Sequence, residues 1–486
     1  MNRTFFETRR MPDLIAAFFD RLSRIERPVL TDISGGDRRD VAGADLADHL
    51  DRLAAMLRRK AGACRGDRVV AVFDNTLESA LTLLAAMRHG MTLALQPVGT
   101  APDDLKRLQA RIDARAVINA TRQGVSGATT IRLQDLATET PVKPATVPAR
   151  TPFTITFTSG STGVPKGIVH GAESFLTCAE AFNRQTGITG HDRFLNVMPM
   201  FYMAGIFNGI LAPLAASAPV VIAEGFSTAT AMRFWPTVAT EAISALWLSP
   251  TMLSLVMRLD RTDKTVPPAM RRLFVGTGAM TAAAAEQFHR TYGLPPLQSY
   301  GLSELLYISV DRAEAPNFGT VGYPLDDVVL TCGAEDPLSI ASPHAFLGYL
   351  VDGALQPHDG PFLTSDLAQV SESGALYVLG RADDIILRGG VNVNPVDLET
   401  ALAPVMGGRP FCVIGQRDAT LGQKVVLVTE GPGLVPAAFS EAQRVIRDHP
   451  GRAQLDAAAH VEKLPVGPTG KIRRAALRAM LAGGGA

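Results

Sequence analysis

The chain has 486 residues, 47% of them hydrophobic, which is enough for two or three domains with a large core. Basic and acidic residues both number 47, so the formal net charge is zero and a nucleic-acid partner is not expected. The four cysteines, Cys64, Cys178, Cys332 and Cys412, form no CxxC pair, which argues against a disulfide framework and favours free thiols in the cytoplasm.

The N-terminal part of the chain alternates between helix and strand signals. The predicted elements are helices near 14–25 and 46–57, a strand at 68–73, a helix at 77–88, a strand at 92–95 and a helix at 103–112. Strands that alternate with helices are typical of right-handed crossovers. This part of the chain therefore predicts an α/β fold with a parallel sheet.

The next notable stretch, residues 156–167, is rich in glycine and hydroxyl side chains. Glycines let backbone N–H groups turn inward, hydroxyls add short donors, and Lys166 brings a mobile positive charge. Because Lys166 lies between Pro165 and Gly167, the order differs from that of a Walker P-loop. A flexible linker is the alternative, but strand-like residues on both sides favour a short loop that cradles a polyphosphate.

Residues 194–223 carry no charged side chain and are long enough on paper to cross a bilayer. Prolines and glycines, among them Pro199, Gly205 and Pro213, break this stretch into short pieces. Uncharged strands are also what a parallel sheet covered on both faces requires. We therefore expect buried strands here and no membrane span.

Beyond this stretch the alternation resumes. The predicted elements lie at 219–223, 229–240, 243–248, 250–259, 272–275 and 281–292. From Gly319 onward, short segments with turn signals predict a small β-rich lobe. A compact tail with its own helices and strands is predicted beyond Asp383 and Asp384.

Four motifs occur in order along the chain. They are the loop at 158–167, the run 299–304, Asp366 with the run 380–384, and the run 464–471. Together they resemble the adenylate-forming superfamily of acyl-CoA synthetases, peptide-synthetase adenylation domains and beetle luciferases, over about residues 45–477. The resemblance implies a large multi-lobed N-terminal domain at 1–382 and a small mobile α+β domain at 383–486, with a hinge at Asp383.

The resemblance also implies a binding site for ATP. The matching positions are Thr158, Ser159, Gly160, Ser161, Thr162, Gly163, Lys166, Gly276, Thr277, Gly278, Ser299, Tyr300, Gly301, Ser303, Asp366 and Arg381. Tyr300 matches the ring that stacks on adenine, and Asp366 matches the carboxylate that accepts the ribose hydroxyls. Two residues depart from the family pattern, because Ser365 and Thr277 stand where many relatives have glycine.

Two residues match catalytic positions of the family. Glu304 matches the acidic residue that helps to hold Mg²⁺ at the phosphates, and Mg²⁺ accepts one carboxylate together with phosphate oxygens. Lys471 matches the lysine that reaches the substrate carboxylate and the α-phosphate, where a cation stabilises the charge of the transition state. The neighbouring Arg473 and Arg474 are predicted to lie on a solvated face, with contact to a CoA phosphate as the alternative.

An acyl pocket and a thiol channel follow from the same resemblance. The pocket candidates are Tyr202, Gly205, Trp247, Gly276 and Leu305. Tyr202 stands where amino-acid-activating relatives carry aspartate, and a hydroxyl cannot offset a buried ammonium as a carboxylate can. An aryl or medium acyl acid is therefore favoured over an α-amino acid. Gly389 and Gly390 match the loop that lines the pantetheine channel, in a form closer to acyl-CoA ligases.

These matches predict a cytoplasmic ligase that uses ATP and Mg²⁺ to convert a carboxylic acid into an acyl adenylate and then transfers the acyl group to CoA. One alternative keeps the adenylation but loads a phosphopantetheinyl carrier protein. Two further alternatives are a luciferase-like oxidative use of the adenylate and a non-catalytic, ligand-binding relative.

Overall fold

The computed structural model describes residues 14–158, 166–278, 280–333, 336–448, 454–467 and 472–483. The chain divides into two compact units. The first comprises Met1–Asn317, Gly322–Val328 and Ala341–Gly360, and the second comprises Phe318–Val321, Val329–Ile340 and Pro361–Ala486. Residues 361–382 thus group with the second unit, while the domain boundary and hinge at Asp383 stay predictions.

The first sheet of the first unit has parallel strands at its centre and antiparallel strands at both edges. In spatial order its strands are Tyr323–Pro324, Leu306–Val310, Pro296–Leu302, Arg272–Val275, Ala245–Leu248, Phe194–Asn196, Val220–Ile222, Pro28–Asp32 and Arg39–Ala42. Two strands of the uncharged stretch lie in its interior, and all of their residues are buried. The prediction of buried strands therefore holds for residues 194–196 and 220–222 alone, and it is wrong for residues 204–215, which form the helices Ala204–Leu211 and Ala212–Ala215.

The second sheet of this unit carries the glycine-rich loop. In spatial order its strands are Ala354–Pro357, Gly348–Val351, Lys166–Gly171, Pro152–Thr158, Thr92–Pro97, Arg68–Phe73, Ala116–Asn119 and Thr129–Thr130. Pro152–Thr158 pairs in parallel with Thr92–Pro97 on one side and antiparallel with Lys166–Gly171 on the other. The loop therefore joins two neighbouring strands at the point where the sheet changes from parallel to antiparallel.

The helices of the first unit largely match the predicted ones. They are Leu14–Ser23, Gly43–Ala61, Leu77–His89, Pro102–Arg111, Ala172–Thr186, Ala212–Ala215, Thr228–Met232, Phe234–Thr240, Pro250–Leu259 and Ala282–Tyr292, with a 3₁₀ helix at Leu133–Thr138 and a π-helix at Ala204–Leu211. The helix predicted at 229–240 is two helices, because Arg233 leaves helical geometry with φ −104° and ψ 9°. Among the described helices, none combines the length and the apolar character needed to cross a bilayer.

The second unit combines short strands with an α+β part, as predicted for the β-rich lobe and the tail. Its strands are Val329–Thr331, Ser339–Ala341, Phe362–Leu363, Asp366–Val370, Leu376–Arg381, Ile386–Arg388, Val391–Val393, Phe411–Asp418, Gly422–Glu430 and Ala457–Val461, and its helices are Ala382–Asp384 (3₁₀), Pro395–Leu402, Pro436–Arg447 and Arg474–Gly483. Its core includes Leu402, Val413, Leu427 and Ile446, all fully buried. The predicted α/β fold class is thus confirmed.

A charge cluster around the buried carboxylate of Asp32 connects separate elements of the first unit. The Asp32 carboxylate is fully buried and lies 2.5 Å from Arg39 Nη2 and 2.8 Å from Arg122 Nη2. It also accepts the backbone N–H of Leu77, the first residue of a helix, at 3.0 Å. Arg39 in turn lies 2.6 Å from Glu78 of that helix. One carboxylate therefore connects a strand of the first sheet to a helix and to the loop that carries Arg122.

The hydrogen bonds decide the charge of this carboxyl group. Burial by itself raises the pKa of Asp32, because the charged form loses water. The hydroxyl and backbone N–H of Ser34, together with Arg39 and the Leu77 N–H, more than offset this effect and lower the pKa of Asp32 below its ordinary value. These donors therefore favour the charged form of the carboxyl group against the effect of burial.

Replacement of Asp32 should therefore destabilise the first unit strongly. In Asp32→Ala the N–H groups of Ser34 and Leu77 lose their acceptor, and we expect the free energy of unfolding to fall by about 2–4 kcal/mol. Urea unfolding followed by tryptophan fluorescence reports on this unit, since Trp235 and Trp247 both lie in it. Asp20→Ala removes an exposed pair with Arg24 and should shift the urea midpoint far less. Equal shifts in the two variants would contradict the expectation.

Candidate functional site

The two strands that flank the glycine-rich loop define its position. Thr158 and Lys166 lie opposite each other in the antiparallel register, and the side chain of Lys166 is exposed. Outside the described residues lie Ser159, Gly160, Ser161, Thr162 and Gly163, and the side chain of Thr158. The roles of these residues in phosphate binding stay predictions, whereas the position of the loop between two paired strands agrees with the sequence interpretation.

A tight hairpin presents Tyr300 and Glu304. It joins the strands Pro296–Leu302 and Leu306–Val310. Gly301 is required there, because a Cβ atom on it would lie 2.2 Å from the carbonyl oxygen of Leu306. Leu306 itself has a left-handed backbone, with φ +59°. The backbones of the two hairpin strands lie so close together at Gly301 that a side chain does not fit, which explains the glycine within this motif.

Tyr349 connects the predicted metal residue to the predicted phosphate-binding lysine. Its hydroxyl donates to Glu304 Oε1 at 2.9 Å, and Lys166 Nζ lies 5.4 Å from the centroid of its ring. The backbone N–H of Phe346, three residues earlier, donates to the carbonyl of Glu304 at 2.8 Å. Burial raises the pKa of Tyr349, and the charge of Glu304 raises it further. Sequence analysis missed Tyr349, because nothing in its local pattern distinguishes it from other strand tyrosines.

His170 makes a further contact with the same hairpin, at Ser303. It is fully buried, and its Nε2 lies 2.7 Å from the carbonyl oxygen of Ser303. A carbonyl only accepts, so Nε2 carries the hydrogen and donates it. Burial lowers the pKa of His170 to about 4, although the bond to Ser303 opposes this shift. The imidazole is therefore neutral at physiological pH and fixes Ser303 without adding charge.

A cavity of about 180 Å³ lies beside the hairpin, and it brings Tyr202 and Ser303 together. Its lining comprises Leu95, Gln96, Pro97, Thr156, Phe157, Phe201, Tyr202, Met203 and Ser303. Buried Asn75 positions the segment that carries Tyr202, since its Oδ1 accepts the N–H of Met200 at 3.1 Å and its Nδ2 donates to Ala223. Asn75 is a further residue that sequence analysis missed.

Gly205 lies two residues after Met203, which lines the cavity, and does not line the cavity itself. A Cβ atom on it would lie 2.0 Å from the carbonyl oxygen of Pro199, so no other residue fits without a backbone shift. It lies in the π-helix Ala204–Leu211, a type of helix that often occurs at functional sites. The close approach to Pro199 explains the glycine locally, and the acyl-pocket role of Gly205 stays a prediction.

The predicted residues Gly276, Trp247 and Ser299 pack together at the ends of parallel strands. A Cβ atom on Gly276 would lie 2.5 Å from Trp247 Cζ2 and 2.9 Å from the carbonyl of Ser299, so its lack of a side chain allows close packing. Thr277 has φ +65°, which explains why glycine suits this position in relatives and makes the threonine a strained exception. Trp247 and Leu305 are buried and do not line the cavity described above, so their acyl-pocket role stays a prediction.

In the second unit, Asp366 and Arg381 face each other across a hairpin. They are register partners, and Arg381 Nε lies 3.8 Å from Asp366 Oδ1. The backbone N–H of Asp366 donates to Thr364 Oγ1 at 2.9 Å. Ser365, which replaces the usual glycine, does not have a positive φ. This departure from the family pattern therefore causes no backbone strain and leaves the carboxylate beside the guanidinium.

Two glycines of the predicted thiol channel form a hairpin turn. Gly389 and Gly390 have φ +57° and +83°, and they connect the strands Ile386–Arg388 and Val391–Val393. Two residues with left-handed backbone are typical of a type I′ turn, which explains the glycine pair locally. Lys471 lies outside the described residues, so its position stays a prediction.

The prediction that Arg474 lies on a solvated face is wrong. Its side chain is 16% exposed, and it lies 2.6 Å from Glu399 and 3.6 Å from Asp384. Arg478 of the same helix also lies 2.9 Å from Asp384. These ion pairs tie the C-terminal helix to the 3₁₀ turn that contains Asp383, which the local sequence around Arg474 could not reveal.

The chain resembles proteins of known family. The profile of the family described as AMP-binding enzyme matches residues 20–337. Probable CoA ligase CCL8 of Humulus lupulus is 28% identical over 335 residues, covering 63% of this chain and 54% of that protein. Fatty acid--[acyl-carrier-protein] ligase MmaC of Mycobacterium marinum is 26% identical over 495 residues, covering 90% and 92%. The chain therefore spans about half the length of the first relative and most of the second.

A solved structure shares the fold. The crystal structure of ATP bound MatB from Rhodopseudomonas palustris gives a TM-score of 0.81 at 21% identity, covering 96% of this chain and 98% of that chain. Agreement over nearly the whole length confirms the predicted architecture, with a large α/β part followed by a smaller α+β part.

The buried imidazole makes a pH-dependent contribution to stability. The pKa of His170 is about 4 in the folded protein against 6.5 for an ordinary histidine, so the folded state binds fewer protons between these values. Its contribution is complete above pH 6.5 and is lost as the pH falls toward 4, by up to about 3 kcal/mol.

The test compares His170→Gln with the wild type by urea unfolding across this range of pH. The amide of glutamine still donates but does not titrate, so the difference in stability between the two proteins should change with pH in the direction given. His49→Gln replaces a partly exposed histidine and serves as the control. A difference between wild type and His170→Gln that is independent of pH would contradict the assignment.

Proposed function

The chain belongs to the family of AMP-binding enzymes, and we propose that it activates a carboxylic acid with ATP and passes the acyl group to the thiol of CoA. In the first step a carboxylate oxygen attacks the α-phosphorus of ATP, and pyrophosphate leaves. In the second step the thiol sulfur attacks the acyl carbonyl, and AMP leaves. The name of the Humulus lupulus relative, a probable CoA ligase, supports CoA as the acceptor.

Two contacts of Tyr349 are the main support for this proposal. Its hydroxyl donates to Glu304, and Lys166 lies over its ring. An ammonium beside the loop supplies charge-assisted hydrogen bonds to phosphate oxygens. A carboxylate close to it supplies a ligand for the cation that accompanies a polyphosphate. The two opposite charges are held next to a loop between paired strands, where a triphosphate needs both of them.

The donor set suits Mg²⁺. Among the described residues, no group of three or more histidine, cysteine, aspartate or glutamate side chains could enclose a metal ion. One carboxylate from Glu304, completed by phosphate oxygens and water, is a ligand set that Mg²⁺ accepts. When bound there, Mg²⁺ would neutralise charge on the phosphates and so assist the departure of pyrophosphate.

The resemblance gives nucleotide-binding roles to residues in each unit, and each role is proposed from the geometry of its own unit. In the second unit the Asp366 carboxylate would accept the ribose hydroxyls, with Arg381 beside it for the α-phosphate. In the first unit the ring of Tyr300 would stack on adenine, next to the turn that contains Thr277. The neighbouring structure from Rhodopseudomonas palustris is described as ATP bound, which supports a nucleotide in this fold.

Lys471 is proposed as the catalytic residue for adenylation. Attack of a carboxylate on phosphorus brings negative charges together, so a cation placed at the reacting oxygens stabilises the transition state more than the ground state. Its motif is followed by Ile472, which forms an isolated antiparallel bridge with Val466. Rotation of the predicted C-terminal domain about Asp383 would then exchange this lysine for the face that carries Gly389 and Gly390.

The acid is proposed to be an aryl or medium acyl carboxylate. Among the described residues that line the cavity, none is acidic, so an α-ammonium would be buried without a counter-charge. The cavity volume of about 180 Å³ lies below the range of roughly 300–1,000 Å³ for drug-sized ligands. Both properties favour a compact uncharged substituent on the carboxylate.

A carrier protein is the second candidate acceptor, because the relative from Mycobacterium marinum is a fatty acid–acyl-carrier-protein ligase by name. CoA and a holo-carrier supplied in the same reaction would separate the two. Thioester on CoA supports the proposal, whereas thioester on the carrier alone decides for the second candidate.

Exchange of labelled pyrophosphate into ATP tests the first step directly. We expect exchange that depends on an added aryl or medium acyl acid and on Mg²⁺, and little exchange with α-amino acids. A broad panel of acids with no exchange at all would overturn the proposed activity. Oxygen uptake coupled to the adenylate would instead indicate the luciferase-like alternative.

Replacement of the C-terminal lysine separates catalysis from binding. Lys471→Ala should lower the exchange rate by about a hundredfold or more, with a much smaller loss of ATP affinity, because the lysine acts mainly on the transition state. Lys463→Ala removes an exposed lysine of the same region and should leave both quantities nearly unchanged. ATP binding without any turnover in the wild type, unaffected by either substitution, would instead indicate a non-catalytic relative.

A further inference from the structure

We propose that Tyr349 is a positioning residue that fixes the Glu304 carboxylate and the Lys166 ammonium at the phosphate-binding loop before ATP arrives. This inference rests on the proposed function, in which Glu304 holds Mg²⁺ and Lys166 contacts phosphate. It adds a residue outside the motifs from which the function was inferred.

The backbone fixes where Tyr349 lies. Its strand, Gly348–Val351, pairs antiparallel with the strand that begins at Lys166, and Tyr349 is the register partner of Ile168. Gly348 has no room for a side chain, because a Cβ atom there would lie 2.0 Å from the carbonyl oxygen of Gln356. A shift of Tyr349 along its neighbour would therefore require both strand pairs to change register.

The contacts of the ring limit its orientation as well. Phe346 packs edge-on against it, with ring centroids 4.8 Å apart. The backbone N–H of Phe346 also donates to the carbonyl of Glu304 at 2.8 Å. The same short segment thus holds Glu304 at two points, by its main chain through Phe346 and by its carboxylate through Tyr349.

The two contacts of Tyr349 support each other physically. A hydroxyl that donates to a carboxylate makes a charge-assisted hydrogen bond, and the negative charge at that end increases the electron density of the ring. A richer ring attracts the Lys166 ammonium more strongly through its face. A neutral phenol orders both side chains in this way, whereas an arginine in its place would neutralise the carboxylate that a metal requires.

Prior ordering should improve the binding of the metal nucleotide. Glutamate and lysine lose much rotamer freedom when they bind a ligand, and residues that hold them beforehand reduce this cost. Mg²⁺ also requires nearly ideal octahedral geometry, so a misdirected carboxylate is a poor ligand. Loss of the Tyr349 hydroxyl should therefore weaken the benefit that Mg²⁺ brings to ATP binding.

The experiment measures the dissociation constant of ATP by calorimetry, with Mg²⁺ and with a chelator, on the full chain. In Tyr349→Phe the gain in affinity from Mg²⁺ should fall about tenfold, with little change in metal-free affinity. Tyr292→Phe is a matched control in the same unit, since Tyr292 donates its hydroxyl to Asp260 at 2.7 Å. The control should keep the gain of the wild type. An unchanged gain in Tyr349→Phe overturns the inference.

A double-substitution cycle tests whether Tyr349 acts through Glu304. In a Glu304→Gln background, Tyr349→Phe should have little further effect on the gain from Mg²⁺, because the residue to be oriented no longer binds the metal. An equal effect in both backgrounds overturns the inference and leaves the proposed function intact. A wild type with neither acid-dependent exchange nor ATP binding overturns both.

A nearly isosteric variant covers the case in which Tyr349→Phe unfolds. 4-Fluorophenylalanine at position 349 fills almost the same space as tyrosine but has no proton to donate to Glu304. Its gain in affinity from Mg²⁺ should fall about as much as expected for Tyr349→Phe. A gain equal to that of the wild type overturns the inference.

Discussion

The pairing of Pro152–Thr158 with Lys166–Gly171 is the constraint on which the candidate site depends. This pair ends the parallel part of the second sheet and holds the glycine-rich loop at its tip. Gly167 is part of the constraint, because a Cβ atom there would lie 2.9 Å from Ile155 and 3.2 Å from Leu350. The next strand can therefore pack closely, and this register brings Tyr349 to the lysine of the loop. A slip by one residue would turn Tyr349 to the opposite face of the sheet.

Much of the fold could be predicted because its signals are local. The strand at 68–73 and the helix at 250–259 have the predicted bounds, since a run of apolar β-branched residues and a proline at the first helical turn each act over a few residues. The glycines of the motifs could also be identified, and the structure supplies their reasons. Gly276 and Gly301 lie where a side chain would collide with neighbouring atoms. Such positions tolerate few residues, so they produce motifs that a single sequence reveals.

The residues that sequence analysis missed have partners far away in the chain. Tyr349 is hydrogen-bonded to Glu304, His170 to Ser303, and Asn75 to Met200. Each pair forms only once strands from separate parts of the chain have come together, so no local spacing indicates it. Arg474 was misjudged for the same reason, because its partner Glu399 belongs to a different helix. The motifs therefore located the groups proposed to touch ATP but not the groups that hold them.

The supporting residues have one chemical property in common, which follows from electrostatics. His170 is a neutral imidazole, Asn75 an amide and Tyr349 a phenol, so each fixes a neighbour by a hydrogen bond without bringing a full charge. Charged partners would hold Glu304 more firmly, but they would compete with the cation that the carboxylate is proposed to bind. The buried charge of Asp32 is instead paired with the partly exposed Arg39 and Arg122, where no ligand has to compete. Neutral support near the loop and paired charge elsewhere therefore suit a site that receives a highly charged substrate.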